Sequence, residues 1–537
     1  MLGALPSIAL PGFGFNVVER MRVQLTLPGC ATIIIQRIFS EEAHTVGVRV
    51  RYAPSPTGFQ HIGSVRTALY DYLYARSQGG TFVLRIEDTD RKRFVPEAMQ
   101  DIYDTFAWLG FHWDEGPDVG GPHGPYFQSE RLSMYSRYAN ELLEKGLAYR
   151  CYCTPERLEK VREGQQAGGE GSDQSTQGYD RHCRDLSRTE RDAMVASGAP
   201  SVIRLKIPLE GSTTFTDELL GDITVENKTI SPDPVLIKSD GFPTYHMALV
   251  VDDHFMEITH TMRGQEWLPS APIHKILFDA FGWEMPAVCH LPMVMGKDGH
   301  KLSKRLGSTS IRDFRKQGYL PDALLNCIAL VGWSYDGSRE LFTMKELEEL
   351  FDISKLNKAP GVFDYQKLEW FNGQYIRAKS PSELADLMTP FMKDAGLPVD
   401  DRGLLEGVAG LVRERVKLLA EIPDMVRYLF QDPSPPVADD LLPKKTDAAH
   451  ALEGLKRADA LIAVLPESQD EVEKQFRELA EHMGTKLGDL LMPVRVAVTG
   501  SKVSPPLFES IRVMGIARAR ARMARAIQIL TDFASRS

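Results

Sequence analysis

Cysteine is scarce in this chain: six residues in 537, at Cys30, Cys151, Cys153, Cys183, Cys289 and Cys327. So few thiols over that length exclude a disulfide framework. Three of them, at 151, 153 and 183, fall close enough together to suggest one metal site instead. Long apolar runs are also missing. No stretch of about 18 apolar residues occurs, so neither a transmembrane helix nor a membrane partner is expected. Positive charge is not in excess: 63 Lys and Arg stand against 73 Asp and Glu, for a net charge of -10. That argues against a nonspecific nucleic-acid coat but leaves room for an RNA partner held on one basic face. No internal repeat is visible. What remains is ordinary for a soluble globular chain, 43% hydrophobic and 25% charged, with length for roughly two to five domains.

Residues 1–47 stand apart. They are apolar and carry Glu19, Glu41 and Glu42. A signal peptide places basic residues first, and a transit peptide avoids acids. A poorly ordered extension is expected, with Met21 as another candidate start.

From Val48 the pattern becomes regular. VRVRYAPS reads as a strand running into a proline-fixed loop. SVRTALYDYLYARSQ (64–78) has helical apolar spacing and ends at Gly79-Gly80. TFVLRIED is a second strand. The order strand, loop, helix, strand is a βαβ unit of a parallel sheet, whose ligands bind at the strands' carboxyl ends. That location is occupied by PSPTGFQHIGS (54–64). Residues 164–178, rich in Gly, Gln and Ser, read as a loop. Strand-like pieces return at SVIRLKIP and PVLIKSDGFPTYH. From about 320 the chain reads mostly helical, with a domain boundary between 330 and 375.

Two motifs carry chemistry. In PSPTGFQHIGS, glycine lets backbone approach a phosphate, and a histidine opening a helix can stabilise phosphate charge. In KLSKR (301–305), two lysines three apart suit a loop that clamps a triphosphate as charge moves toward pyrophosphate. Alone, each motif is weak: a capped turn and a solvated charge run are the plain alternatives. Together they are specific. With RYAPSPTGFQHIGSVRTALY, FVLRIEDTDR, EGPDVGGPHGPYFQSER, LIKSDGFPTYHMALVVDDH, RGQEWLPSAPIH, VFDYQKLEWFNGQYI and KLGDLLMPVRVAVTG, the chain from Val48 onward resembles the class I aminoacyl-tRNA synthetases, and among them the bacterial-type glutamyl enzymes.

The resemblance implies a multidomain fold, α/β followed by α. A Rossmann-like catalytic domain is expected at 48–330, with an acceptor-stem domain inserted at about 135–235. A stem-contact region at 331–375 and an all-helical anticodon-binding domain at 376–537 would follow. It implies ATP-dependent attachment of L-glutamate to the 3′ end of tRNA(Glu), with Mg2+, through a glutamyl-adenylate. Family members usually need tRNA bound before adenylate forms. A cytoplasmic monomer is expected.

By the same resemblance, glutamate contacts map to Arg51, Ala53, Ser55, Glu87, Tyr245 and Arg263. A forked arginine suits a carboxylate, and Glu87 suits the ammonium. ATP contacts map to His61, Gly63, Ser64, Glu266, Trp267, Lys301, Ser303 and Lys304, of which His61, Lys301 and Lys304 are the expected catalytic groups. Two positions depart from the family pattern. Ser64 replaces the second histidine of the signature, and Leu249 stands where the family often has asparagine, so Leu249 is left out of the site.

Cys151, Cys153 and Cys183 resemble the family's structural zinc site, which wants four ligands. The fourth is Tyr179 or Asp185. Arg415 lies where the family selects the third anticodon base, which favours tRNA(Glu) alone. Arg512, Arg518, Arg520, Arg522 and Arg525 form a basic helix candidate that is either an RNA contact or a solvated face. The rival readings are an enzyme that also charges tRNA(Gln), a glutaminyl enzyme, a short tRNA-modifying paralogue, a small-molecule nucleotidylyltransferase and an inactive tRNA-binding paralogue.

Overall fold

The computed structural model describes residues 47–167, 178–302, 308–444 and 446–535, and the strands Arg20–Arg22 and Gln36–Ile38. Those two strands pair antiparallel, Arg20 opposite Ile38, within a compact unit spanning Met1–Gly47. The rest of 1–46, where a poorly ordered extension was expected, lies outside the described residues.

The second unit, Val48–Ser537, is described by itself. Its first strand, Arg49–Tyr52, is buried at every position, as a parallel strand covered on both faces must be. It pairs in parallel with Thr81–Leu84. Between them runs the helix Ile62–Ser77, with Val65, Ala68, Leu69 and Leu73 in the core. The helix starts two residues before the expected Ser64, because His61 and not a later residue caps it.

A second sheet orders its strands His260–Gly264, Ala287–Leu291, Ser212–Asp217 and Gly221–Glu226. The hairpin Ser212–Glu226 lies inside the range expected for the inserted domain, yet it joins the sheet of Ala287–Leu291 through Asp217 and Val288. Its alternating burial explains this: Thr213, Phe215 and Asp217 face inward together. A smaller antiparallel sheet, of Ala148–Cys151, Val202–Leu205 and Val235–Ile237, also draws on that range, beside the helices Pro155–Ala167 and Arg188–Ala196.

Arg49–Tyr52 and His260–Gly264 run side by side without forming a ladder. The Thr259 amide donates to the Arg49 carbonyl at 2.9 Å, and Arg49 N–H donates to Thr259 Oγ1 at 2.8 Å. The two strands belong to separate sheets. The gap at their carboxyl ends is where an open α/β fold takes its ligand.

Residues 381–534 carry helices, among them Pro381–Asp394, Arg402–Val412, Ala448–Ala463, Leu487–Thr499 and Ile516–Ala534. Ser380 and Asp447 cap two of them at their N-termini, with Glu383 completing a capping box on Ser380. No helix of the described residues is long and apolar enough to cross a membrane.

Candidate active site and metal centre

A cavity of about 1270 Å³ opens at the strand ends. The described residues expected to hold ATP all line it: His61, Gly63, Ser64, Glu266, Trp267 and Lys301. So do the six expected at glutamate: Arg51, Ala53, Ser55, Glu87, Tyr245 and Arg263. Ser303 and Lys304 lie outside the described residues.

On the ATP side, His61 is the N-cap of Ile62–Ser77. Its Nδ1 accepts the Ser64 amide at 3.1 Å, and Ser64 Oγ accepts the His61 amide at 3.0 Å. With Nδ1 acting as acceptor, the proton of the neutral ring sits on Nε2. Desolvation, then the Lys301 ammonium, lower the His61 pKa and hold the ring neutral. Gly63 leaves room for this: a Cβ there would meet the His61 ring at 3.2 Å. Gly264 has a similar use, since a Cβ would fall 2.2 Å from the Glu266 carboxylate. Trp267 is half-exposed and packs on Tyr245, ring centroids 4.5 Å apart.

On the glutamate side, charges are buried and shared. Arg51 Nε lies 3.0 Å from Asp253 Oδ1, and Arg85 Nη1 reaches the same oxygen at 2.6 Å. Arg85 Nη2 meets Glu87 at 3.2 Å. Burial opposes ionisation of Asp253, but Arg51 and Arg85 overcome it and hold its carboxyl below the usual range. Burial wins at Glu87 and raises its pKa, despite Arg85 and Arg51. Glu87 is thus both part of an ion network and a wall of the cavity. Of its neighbours in RIEDTD, Asp88 instead binds Ser129 and Asp90 pairs with Arg93.

Arg263 differs. It makes no ion pair among the described residues. Nε donates to His290 Nε2 at 3.0 Å, and Nη1 donates to Tyr245 Oη at 3.2 Å and His274 Nδ1 at 3.1 Å. Its Nη2 is buried without a partner. Burial, then the Arg263 charge, lower the His246 pKa to about 4, and they drive His274 well below its ordinary value. Both rings are neutral and leave the guanidinium charge uncompensated. Leu249 is buried in the core beside this site and does not line the cavity.

Sequence reasoning missed Asp71, Asp217 and His290. Asp71 is fully buried and lines the cavity. Its only sequence signal is a charge on the apolar stripe of a helix. Asp217 and His290 come together from strands 73 residues apart, which no local pattern announces.

The three cysteines meet as expected. The sulfurs of Cys151, Cys153 and Cys183 lie within 4.8 Å of one another. Tyr179 Oη is 3.2 Å from Cys151 Sγ, and the ring lies under the Arg204 guanidinium. Asp185 is exposed and outside the cluster, and so is His182. Hydrogen bonds from the Cys183 thiol and Tyr179 pull the Cys151 thiol down to about 4 against the cost of burial. Three soft donors converging with a phenol oxygen are a closed set that suits zinc.

Arg415 lines a second cavity of about 460 Å³ with Arg427, Tyr428, Asp432 and Ser504. The arginines of the basic helix candidate are tied down: Arg518, Arg522 and Arg525 all pair with Asp432, Arg520 pairs with Asp459, and Arg512 binds the backbone of Pro466 and Glu467.

A histidine-capped helix between two parallel strands, followed by a helical half, fits the architecture of a class I aminoacyl-tRNA synthetase. The chain matches two family models: tRNA synthetases class I (E and Q), catalytic domain, over residues 47–370, and an anticodon binding domain over 383–527. It belongs to that E and Q family of class I synthetases. Among its relatives, the glutamate–tRNA ligase of Treponema denticola is 52% identical, over 89% of this chain and 99% of its own. That of Dehalococcoides mccartyi is 44% identical, over 91% and 99%. A crystal structure of a glutamate tRNA ligase from Elizabethkingia meningosepticum, in complex with its amino acid, superposes with a TM-score of 0.81 at 34% identity. It covers 90% of this chain and 100% of that one.

Proposed function

We infer that this protein attaches L-glutamate to the 3′ end of tRNA(Glu) at the expense of ATP. One observation carries the reading. A single cavity joins a phosphate side, built from His61, Gly63 and Lys301, to an acid-binding side, built from Arg51, Tyr245 and Arg263.

In this reading the α-carboxylate of glutamate attacks the α-phosphorus of ATP and pyrophosphate leaves. His61 Nε2–H donates to phosphate oxygen as charge builds, and Lys301 adds its ammonium. Lys304 is assigned the second clamp. Trp267 offers its exposed face to adenine, and Glu266 the ribose side. The α-ammonium sits against Glu87, with Ser55 and the Ala53 carbonyl as acceptors. Arg51 and Arg263 take the carboxylates, and Arg263 brings the uncompensated charge. The glutamyl group then passes to the terminal adenosine, with release of AMP. Mg2+ would come with the triphosphate and neutralise its charge. Zinc, held by Cys151, Cys153, Cys183 and Tyr179, would be structural and would brace the small antiparallel sheet. The protein is read as a cytoplasmic monomer with catalytic, acceptor-stem, stem-contact and anticodon domains.

Arg415 supports selection of tRNA(Glu) over tRNA(Gln). The test is charging of both purified tRNAs with labelled glutamate, with Lys304→Ala in parallel. Charging of tRNA(Glu) alone is expected, and it should fall by about a hundredfold in the variant. Charging of both would keep the reaction and remove the Arg415 assignment. Charging of neither, beside a working control enzyme, would overturn the function.

A further inference from the structure

Arginine has five N–H donors. Three of those on Arg263 are satisfied, all by uncharged acceptors: His290, Tyr245 and His274. The two on Nη2 are buried with no partner, in a side chain that is 6% exposed and lines the cavity. A guanidinium so placed is costly to bury unless a ligand completes it. What holds it in that orientation is a relay of two fully buried groups. His290 Nδ1 lies 2.6 Å from Asp217 Oδ2, and the His290 amide donates to the same oxygen at 3.0 Å. Asp217 Oδ1 accepts the amides of Leu219 and Leu220 at 2.9 and 2.8 Å. Asp217 accepts from four N–H groups at once, so it is ionised and fixed. The His290 proton therefore sits on Nδ1, and the Nε2 lone pair is left to accept from Arg263.

We propose that Asp217 and His290 are positioning residues for glutamate recognition: the carboxylate sets the imidazole tautomer, and the imidazole aims the free Nη2 edge of Arg263 at a substrate carboxylate. This rests on the assignment of Arg263 to glutamate made above. The chemistry requires a neutral imidazole. Protonation, or the other tautomer, would set Nε2–H against the Arg263 Nε–H and turn the guanidinium away. Neither residue touches substrate. Their effect passes through the Arg263 side chain, so it should fall on glutamate and not on ATP.

The test is steady-state charging of tRNA(Glu) by the full-length protein, with glutamate varied at saturating ATP and the reverse. In Asp217→Asn, the amide N–H₂ faces His290 Nδ1 and forces the proton onto Nε2. An increase of about tenfold in KM for glutamate is expected, the worth of one such hydrogen bond. KM for ATP should stay within about twofold. His290→Leu should behave in the same way. His290→Gln, whose side-chain carbonyl can accept from Arg263, should recover most of the loss, which a merely structural role would not predict. If Asp217→Asn proves unstable, the Leu and Gln pair at 290 decides the matter. An unchanged glutamate KM in His290→Leu, or equal rises for glutamate and ATP, overturns the proposal. If the unaltered protein charges no tRNA, the function falls and this inference with it.

Discussion

His61 and Ser64 cap the same helix for each other: each side chain accepts the other's backbone N–H, at 3.1 and 3.0 Å. Serine at the position of the signature's second histidine is therefore a structural partner of the first. The His61 tautomer is fixed by the Ser64 backbone N–H, which donates to Nδ1 and leaves the ring proton on Nε2. Two different losses follow. Ser64→Ala removes one reciprocal bond and should cost about 1 kcal/mol of stability while keeping most activity. His61→Ala removes the donor itself and should lower kcat for tRNA-dependent ATP–pyrophosphate exchange about a hundredfold. Equal losses of kcat in both variants would refute this division.

The pairing of Arg51 and Arg85 on one oxygen of Asp253 separates stability from recognition. Arg85 is completely buried and also faces Glu87 and Asp252. Arg85→Met would leave the buried Glu87 without its ion-pair partner, while Asp253 keeps Arg51 and Asp252 keeps Arg131, and a loss of about 3–5 kcal/mol is expected in urea denaturation. Arg51→Ala leaves Asp253 paired with Arg85. It should destabilise less and raise KM for glutamate more. The reverse ranking would show that Arg51 is the structural partner.

How much of this was legible depends on distance along the chain. The phosphate loop could be read because its parts lie within eleven residues (54–64), and proline, glycine and histidine there have few other uses. The first βαβ unit was visible from periodicity, and the helical half from its long amphipathic stretches. The cysteine cluster was visible from its thiols, but its fourth ligand was not. Tyr179 lies four residues before Cys183 and Asp185 two after it, and only packing puts the phenol at Cys151 and leaves the carboxylate exposed. The hairpin Ser212–Glu226 returns to the catalytic sheet through a single bridge, which sequence order hides. Asp217 and His290 look like ordinary strand residues until the two strands come together. The arginines of Ile516–Ala534 left an RNA contact and a solvated face both open, and Asp432 accounts for three of them.

The metal centre gives a prediction that does not depend on activity. Purified protein should carry about one zinc per chain by elemental analysis. Cys151→Ser should lose it and lower the melting temperature. Asp185→Ala should retain it. Tyr179→Phe keeps three thiolates and should bind zinc more weakly. A chelator should destabilise the protein while glutamate and ATP still bind, since none of Cys151, Cys153, Cys183 and Tyr179 lines the cavity. Full zinc in Cys151→Ser would remove the site from consideration.

Asp71 is a poorly accommodated acid of the described core. It is fully buried, and neither carboxylate oxygen has a hydrogen-bond partner. Burial raises its pKa well above the ordinary 3.8, against the pull of Arg51. The linkage has a definite sign. The unfolded chain ionises near the ordinary value and the folded one only at higher pH. Between those limits the folded state binds the extra proton, so each pH unit costs about 1.4 kcal/mol of stability. The contribution is fully present below the ordinary carboxyl value and is lost as pH rises toward the folded one. Asp71→Asn has nothing to ionise. Its stability relative to the unaltered protein should therefore climb as pH is raised from 4, with the variant more stable at pH 8. Denaturation curves at several pH values test this, and parallel curves for the two proteins would mean that Asp71 is ionised in the fold and paired by Arg51.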